Sequence, residues 1–408
     1  MTVPVPADVN SALERLRSRG YRANPVGGCV RDCLLGLHPE DWDICTSARP
    51  EETLACFADC TTLPTGLRHG TVTVLWQGRS LEITTYRRDG AYSDHRRPDG
   101  VDFVLRLEED LARRDFTVNA MAISPEGEVI DPFGGRQDLE KRVLRCVGEP
   151  ERRFREDALR ILRLIRFAAR LGFSPEPDTL AAAMSCRSLL PALAGERVLK
   201  ELCLYLEGEK AGDCFPWAKP ILEPVLPELA DLDADGAARS LDLLPSSVSV
   251  RLGLLLRSPD GKKADALARL KSSRRLENRV RTLAAFGWGP APETPADLGL
   301  VLGEVGEEVF RELLCLWSAL GRETAPLERE LERRLRAGFC YSPKDLTVTG
   351  EDLRALGYSG RALGDVLDRL LKEVQTGTLP NTRSALLAAV EGKQKAAGSD
   401  APGDGTDC

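Results

Sequence analysis

Two aspartates one residue apart, Asp41 and Asp43, open a run with the composition of a β-strand. Side chains two positions apart on a strand project to the same side, roughly 7 Å apart along the chain. Two carboxylates at that distance repel each other by roughly 2 kcal/mol at an effective dielectric constant near 20. A divalent cation between them reverses that sign, and Mg²⁺ prefers one or two carboxylates together with substrate phosphates. The pair therefore predicts a metal–nucleotide site.

A paired-glycine turn precedes the aspartates and supplies the phosphate side of such a site. Gly27 and Gly28 follow the expected end of a short strand and open a short helix. The free N–H groups of a helix start attract phosphate, and Arg31 in the first turn adds a charged fork. A solvated loop with ordinary Asp caps explains either motif alone, but their occurrence together favours the metal–nucleotide site.

The elements that must position these residues are readable from periodicity. We expect an amphipathic helix over 8–19, a strand over 21–26, a helix over 49–58 and a hairpin over 71–86. Glu82, on the second arm of the hairpin, is either a third carboxylate facing the metals or a plain cross-strand charge.

Size and composition indicate an intracellular protein of several domains. The chain has 408 residues, of which 42% are hydrophobic and 29% charged, and this length predicts two to four domains. No apolar run is long enough to span a membrane, and the N-terminus lacks the layout of a signal peptide, so we expect a cytoplasmic protein. The 12 cysteines, without a Cys-x-x-Cys, and three histidines argue against zinc and for buried thiols in a reducing compartment.

The net charge of −7 hides two basic segments. Residues 141–170 carry ten Lys/Arg against four Asp/Glu, and residues 251–281 carry ten against three. Clustered positive charge is typical of a polyanion partner, although solvated helix faces remain an alternative for the second segment.

Two further motifs combine charge with apolar periodicity. Residues 110–122 read Asp-Leu-Ala-Arg-Arg-Asp-Phe-Thr-Val-Asn-Ala-Met-Ala. Residues 156–170 predict a long helix in which arginines recur every third residue among aliphatics, starting after Asp157 with Arg160, Arg163 and Arg166. On such a helix Asp157 and Arg160 are neighbours.

Together these motifs resemble those of the class II tRNA nucleotidyltransferases (CCA-adding enzymes) within the tRNA nucleotidyltransferase/poly(A) polymerase family. The resemblance is specific over 26–202 and loose over 203–390. It implies that Arg114 contacts the nucleotide, and that Asp157 with Arg160 reads the base. Arg163 and Arg166 are suited to the phosphates or to support of the reading pair. The residues of the Gly195-Glu-Arg motif are taken as structural.

Chemistry explains how an aspartate and an arginine can select a base. Cytosine and adenine both present an exocyclic amino donor beside a ring-nitrogen acceptor. A carboxylate accepts from the amino group while a guanidinium donates to the ring nitrogen, and uracil and guanine lack this arrangement. Protein side chains can thus choose C and A without a template.

We expect an α/β nucleotidyltransferase head, a small mixed sheet with helices, followed by an all-α neck, body and tail. The predicted divisions are a catalytic head over 1–140, a neck with the base-reading helix over 141–210, a body over 211–300, an RNA-binding tail over 301–391 and a disordered end over 392–408.

The expected function is template-independent addition of CCA to the tRNA 3′ end from CTP and ATP. Asp41 and Asp43 would hold two Mg²⁺ ions, Gly28 and Arg31 the triphosphate, and tRNA would be the macromolecular partner, with no membrane and no protein partner implied. The polar segment 87–100 resembles the loop that CCA-adding enzymes need for the final AMP. An A-adding enzyme, a poly(A) polymerase and an RNA-binding protein without catalysis remain alternatives.

Overall fold

The computed structural model describes residues 3–89 and 101–398. The described residues form two compact units, one running to Asp242 and including Arg269–Ser272, the other formed by Leu243–Ala268 and the residues from Ser273 onward. Most of the predicted loop over 87–100 lies outside the described residues.

The first unit contains a mixed five-stranded sheet in the order β1-β2-β5-β4-β3. The pair β2–β5 is parallel and the other neighbouring pairs are antiparallel. The strands are β1 (Ala23–Pro25), β2 (Asp43–Thr46), β3 (Thr62–Gly66), β4 (Thr71–Trp76) and β5 (Arg79–Thr85). Pro25 is the last residue of an edge strand of this sheet, where its missing N–H is tolerated. Shorter pairs are formed by β6 (Arg87–Asp89) with β7 (Val101–Phe103), β8 (Ala122–Ile123) with β9 (Val129–Ile130), and β10 (Val143–Leu144) with β11 (Ser174–Pro175).

The sheet follows from strict alternation in the predicted hairpin. Val72 and Val74 on β4, and Leu81 and Ile83 on β5, are buried, while the side chains between them are not. A period of two places one face on the core. The hairpin prediction is confirmed.

The remaining described chain is mostly helical, as the sequence predicted. The helices are α1 (Ala7–Arg17), α2 (Gly28–Leu34), α3 (Pro50–Cys56), α4 (Leu107–Ala112), α5 (Gly135–Glu140), α6 (Pro150–Glu156), α7 (Leu159–Leu171), α8 (Pro177–Cys186), α9 (Gly195–Leu206), α10 (Ala211–Leu222), α11 (Ala234–Leu243), α12 (Val248–Leu255), α13 (Ala266–Arg269), α14 (Arg274–Trp288), α15 (Pro295–Ala319), α16 (Ala325–Arg336), α17 (Gly350–Ala355), α18 (Gly360–Thr376) and α19 (Arg383–Gly398).

Two expectations about helix bounds were wrong. The disordered end was placed from residue 392, but α19 continues to Gly398, because alanine, lysine and glutamine in this stretch favour helix; residues 399–408 lie outside the described residues. The single helix expected over 156–170 is two, α6 and α7, separated at Asp157. The backbone of Asp157 is extended, and its Oδ1 accepts from the N–H of Leu159 at 3.1 Å. A short aspartate side chain that bonds a nearby backbone N–H competes with helix continuation.

Candidate active site

A cavity of about 610 Å³ in the first unit collects the predicted site residues. All nine of them line it: Gly28, Arg31, Asp41, Asp43, Arg114, Asp157, Arg160, Arg163 and Arg166. Its walls come from α2, the start of β2, the middle of β5, the segment after α4, and helices α7 and α9. Residues more than 150 positions apart in sequence thus share one cavity.

The carboxylates lie at the sheet side of the cavity. Asp43 begins β2, whereas Asp41 lies just before the strand, so the prediction that a strand holds both was wrong by two residues. Glu82 on β5 is the direct cross-strand partner of Asp43 and also lines the cavity. The pKa of the Asp43 carboxyl is raised to about 6, mainly because the surrounding protein removes part of its hydration. Repulsion from Glu82 and Asp41 adds to the rise, and attraction to Arg114 opposes it.

These carboxylates fit a divalent cation. Among the described residues, none of Asp41, Asp43 and Glu82 forms an ion pair, although arginines line the same cavity. No three His, Cys, Asp or Glu side chains in the described part of the chain converge on one metal position. Two carboxylates completed by substrate oxygens match the preference of Mg²⁺.

The glycine turn is built around Gly27 rather than Gly28. Gly27 has φ of +83°, in the region that favours glycine, and caps α2. A Cβ at Gly27 would lie 2.9 Å from Nη1 of Arg114, while a Cβ at Gly28 would meet only Arg31 Nη2 at 3.6 Å. Gly27 therefore lets an arginine approach the turn closely, and Gly28 faces the cavity.

Arg31 is held by partners inside the protein. Only 3% of it is exposed. Its Nη1 donates to Oδ1 of Asn119 at 2.6 Å and its Nε donates to Oδ1 of Asp32 at 2.8 Å. Asn119 was not among the predicted residues, and its signal was a polar amide within the apolar run Val118-Asn119-Ala120-Met121.

Arg114 is positioned by Asp110 rather than by Asp115, its neighbour in the sequence. Asp110 is fully buried and pairs with Arg113 at 2.8 Å and Arg114 at 3.3 Å. Burial alone would raise the pKa of Asp110, but the two guanidiniums outweigh it and lower that pKa. One buried carboxylate thus orients two arginines.

Asp115 instead anchors Arg163. Nη2 and Nε of Arg163 lie 2.6 and 2.7 Å from Oδ2 of Asp115, and Asn119 donates to the other oxygen at 3.1 Å. Burial works against the charge, yet Arg163 and Asn119 bring the pKa of Asp115 down to about 2. The supporting role expected for Arg163 therefore has a physical basis.

Phe167 lies beneath three arginines. The guanidinium carbons of Arg166, Arg163 and Arg31 are 4.3, 5.2 and 5.3 Å from its ring centroid, within the range of cation–π attraction. Arg166 also pairs with Glu201 at 3.1 Å, and burial followed by repulsion from Arg163 lowers its pKa to about 10.

The predicted reading pair lies at the break between α6 and α7. Arg160 is 7% exposed and donates to Oε2 of Glu156 at 3.0 Å and to the carbonyl oxygen of Arg113 at 2.9 Å. Arg197 on α9 lies 3.5 Å from Oδ2 of Asp157. Sequence reasoning took Arg197 as structural, and the structure places it in the cavity wall beside Asp157.

Comparison with known proteins agrees with this geometry. Residues 24–145 match the family model of the poly A polymerase head domain, and residues 250–390 match that of tRNA nucleotidyltransferase domain 2. The CCA-adding enzyme of Geobacillus kaustophilus is 35% identical over 403 residues, covering 92% of this chain and 94% of the relative. The chain belongs to the CCA-adding enzyme family of tRNA nucleotidyltransferases.

Other members of the family show the same extent of similarity. The CCA-adding enzyme of Levilactobacillus brevis is 36% identical over 394 residues, covering 93% of this chain and 96% of the relative. The crystal structure of the Bacillus stearothermophilus CCA-adding enzyme in complex with CTP has a TM-score of 0.81 at 31% identity, covering 97% of this chain and 98% of that one. The family resemblance and the mixed-sheet head with a helical remainder are confirmed.

None of the helices within residues 3–89 and 101–398 combines the length and the apolar character needed to cross a bilayer.

Proposed function

We propose that this chain adds C, C and A in turn to the 3′ end of tRNA, using CTP and ATP, releasing pyrophosphate and needing no nucleic-acid template. The observation that carries the proposal is one cavity holding both the unpaired carboxylates Asp41 and Asp43 and the pair Asp157 and Arg160. Membership of the CCA-adding enzyme family, and the CTP bound to the Bacillus stearothermophilus relative, support it.

Nucleotidyltransfer in this family is metal-dependent, and Asp41 and Asp43 are the residues that would hold two Mg²⁺ ions. When bound, such ions would lower the pKa of the terminal ribose hydroxyl and neutralise the leaving pyrophosphate.

Arginines and the glycine turn bind the triphosphate. Gly28 leaves the cavity wall without a side chain, and Arg31 and Arg114 bring fixed positive charge to the same side. Because Asn119 and Asp110 hold these guanidiniums in advance, little rotamer entropy is lost when the nucleotide binds.

Asp157 and Arg160 select the base. Asp157 accepts from the exocyclic amino group of cytosine or adenine, and Arg160 donates to the ring nitrogen beside it. Arg163 and Arg166, held by Asp115 and Glu201, support the helix that presents this pair and keep the cavity positive.

The proposed division into head (1–140), neck (141–210), body (211–300) and tail (301–391) assigns this chemistry to the head and neck and leaves tRNA binding to the body and tail. We also infer a cytoplasmic location, which the free state of all the described cysteines supports.

The decisive experiment extends three tRNA transcripts, ending before CCA, after C and after CC, with Mg²⁺ and with CTP and ATP singly or together. Growth of all three to one CCA end is the expected result. Extension of only the CC-ended transcript by one A would identify an A-adding enzyme, and long A tails a poly(A) polymerase. Folded protein without product would contradict a catalytic function.

A further inference from the structure

The basic segment over 251–281 does not form one positive surface. Five of its ten cations pair with carboxylates, and two of these five, Arg269 and Lys271, belong to the first compact unit. The ion pairs are Lys262–Asp260, Arg269–Glu228, Lys271–Glu196, Arg279 with Glu308 and Glu312, and Arg281 with Asp265 and Glu277. Arg257, in the second unit, has no carboxylate partner among the described residues.

Arg257 and Arg322 both lie beside the end of α14. The Cδ of Arg257 is 3.7 Å from where a Cβ of Gly287 would lie. Nη2 of Arg322 is 3.4 Å from the carbonyl oxygens of Gly287 and Trp288. Burial, with repulsion from Arg322, lowers the pKa of Arg257. Two arginines 65 positions apart in sequence thus lie beside one turn.

Neither guanidinium has a carboxylate. Among the described residues, Arg257 and Arg322 form no ion pair, and the hydrogen bond of Arg257 is from Nε to the carbonyl oxygen of Leu254 at 3.1 Å. Nη1 of Arg322 is buried and has no partner in the described part of the chain. Partly buried charge without a counter-ion is costly, and an unsatisfied buried donor calls for an explanation.

Capping of α14 explains only part of this arrangement. Cations near a helix C-terminus are favourable, and Arg322 does approach two terminal carbonyls. These contacts are 3.4 Å long and use one nitrogen of Arg322. A cap therefore does not explain why Arg257 lies near Arg322 although the two cations repel each other. A bound anion explains it, because the anion attracts both side chains.

The neighbouring Trp288 indicates what kind of anion. Its side chain is 55% exposed in the same turn. A large exposed indole in the same turn as two cations suits RNA, because bases stack on aromatic rings while arginines bind the backbone.

We propose that Arg257 and Arg322 bind a backbone phosphate of tRNA, with Trp288 stacking on an adjacent base. This inference rests on the proposed function, since it names part of the surface through which the enzyme holds its RNA substrate. Arg257, Trp288 and Arg322 belong to the second unit, whereas the residues that line the catalytic cavity belong to the first.

The test measures binding of a CC-ended tRNA transcript by fluorescence anisotropy across a range of salt concentrations, without nucleotide. We expect R257A/R322A to bind about tenfold more weakly and to show a salt dependence reduced by about one unit in the log–log slope. The KM for tRNA in A addition should rise by a similar factor, while the KM for ATP and kcat stay near wild type.

The matched control is R311A/R333A, which also removes two charges from the second unit but from arginines paired with Glu307, Glu332 and Glu330. An affinity and salt slope of R257A/R322A equal to those of wild type or of this control would overturn the inference. If the double variant fails to fold, as judged by its thermal transition, Arg257→Gln is measured instead with the same criteria.

A further pair of outcomes separates this inference from the proposed function. Wild-type protein that extends tRNA normally while R257A/R322A binds tRNA unchanged would sink only the inference. Wild-type protein that neither binds nor extends tRNA would sink the proposed function as well.

Discussion

Asp43 on β2 lies directly opposite Glu82 on β5 in the parallel strand pair. Neighbouring cross-strand side chains are about 5 Å apart at Cβ, so the two carboxylates share one local electrostatic environment. This relationship favours a role for Glu82 beside the proposed metals, because Glu82 faces another carboxylate and forms no ion pair in the described part of the chain. Glu82 adds to the negative potential at the proposed metal site.

Glu82→Gln should therefore weaken metal binding without removing it. Loss of one carboxylate charge beside the site costs about 1 kcal/mol in a solvent-accessible cleft. We expect the Mg²⁺ concentration for half-maximal activity to rise roughly fivefold, with kcat at saturating Mg²⁺ within about tenfold of wild type. Glu14→Gln, on the surface of α1, is the control. A loss of kcat as large as that of Asp43→Asn would instead make Glu82 a third essential carboxylate.

Asp43→Asn should stabilise the metal-free protein while abolishing activity. The pKa of Asp43 is raised from 3.8 to about 6 in the folded state. The folded state then binds more protons than the unfolded state between these values, so this contribution to the free energy of unfolding is present below pH 3.8 and lost as pH rises through 6. At pH 7 the variant avoids that loss. Its free energy of unfolding should exceed that of wild type by about 1 kcal/mol, a value reduced from the full pKa shift because solvent reaches this carboxyl and screens its charge.

Unfolding by urea in the presence of a chelator, at pH 5 and pH 7, measures this difference. We expect the gain of Asp43→Asn over wild type to grow between the two pH values, and turnover to fall by at least about a thousandfold. Asp213→Asn, an exposed surface change of the same charge, should show neither effect. A variant less stable than wild type at pH 7 would contradict the electrostatic account of Asp43.

Gly27→Ala and Gly28→Ala should differ in stability. Alanine at Gly27 must adopt φ of +83° and place its Cβ 2.9 Å from Arg114, which costs about 1–2 kcal/mol. Alanine at Gly28 meets only an ordinary contact at 3.6 Å and favours the start of α2. Thermal unfolding should show a lower midpoint for Gly27→Ala and an unchanged or higher one for Gly28→Ala. Equal losses in both would mean that the turn does not have this conformation.

Asp115→Asn should remove the anchor of Arg163. Breaking a buried ion pair by neutralising one partner costs about 3–5 kcal/mol. Because the pKa of Asp115 is lowered to about 2, its contribution to stability is present above pH 3.8 and lost as pH falls through 2. Urea unfolding at pH 7 and at pH 3 should show a variant deficit that shrinks at the lower pH. Glu151→Gln, which breaks an exposed pair with Arg155, should leave the free energy of unfolding near that of wild type at both pH values, because water and salt screen such surface pairs.

The local chemistry of the site was readable from the sequence because it depends on neighbours in the chain. The glycine turn, the two aspartates and the alternation of the 71–86 hairpin follow from short-range periodicity and backbone preferences. The family resemblance supplied the expected roles of Arg114, Asp157 and Arg160, which isolated charge motifs leave open.

Partnership between distant residues was decided only by the tertiary structure. Asp110 rather than Asp115 holds Arg114, Asp115 holds Arg163, and Arg197 reaches Asp157 from another helix. The basic segment over 251–281 shows the same limit, since half of its ten cations are paired with carboxylates, while Arg257 lies near Arg322, which is outside the segment. Counting charged residues in the sequence gives only the formal charge of a segment. Binding depends on which of those charges lack a counter-ion, and only packing between distant elements determines that.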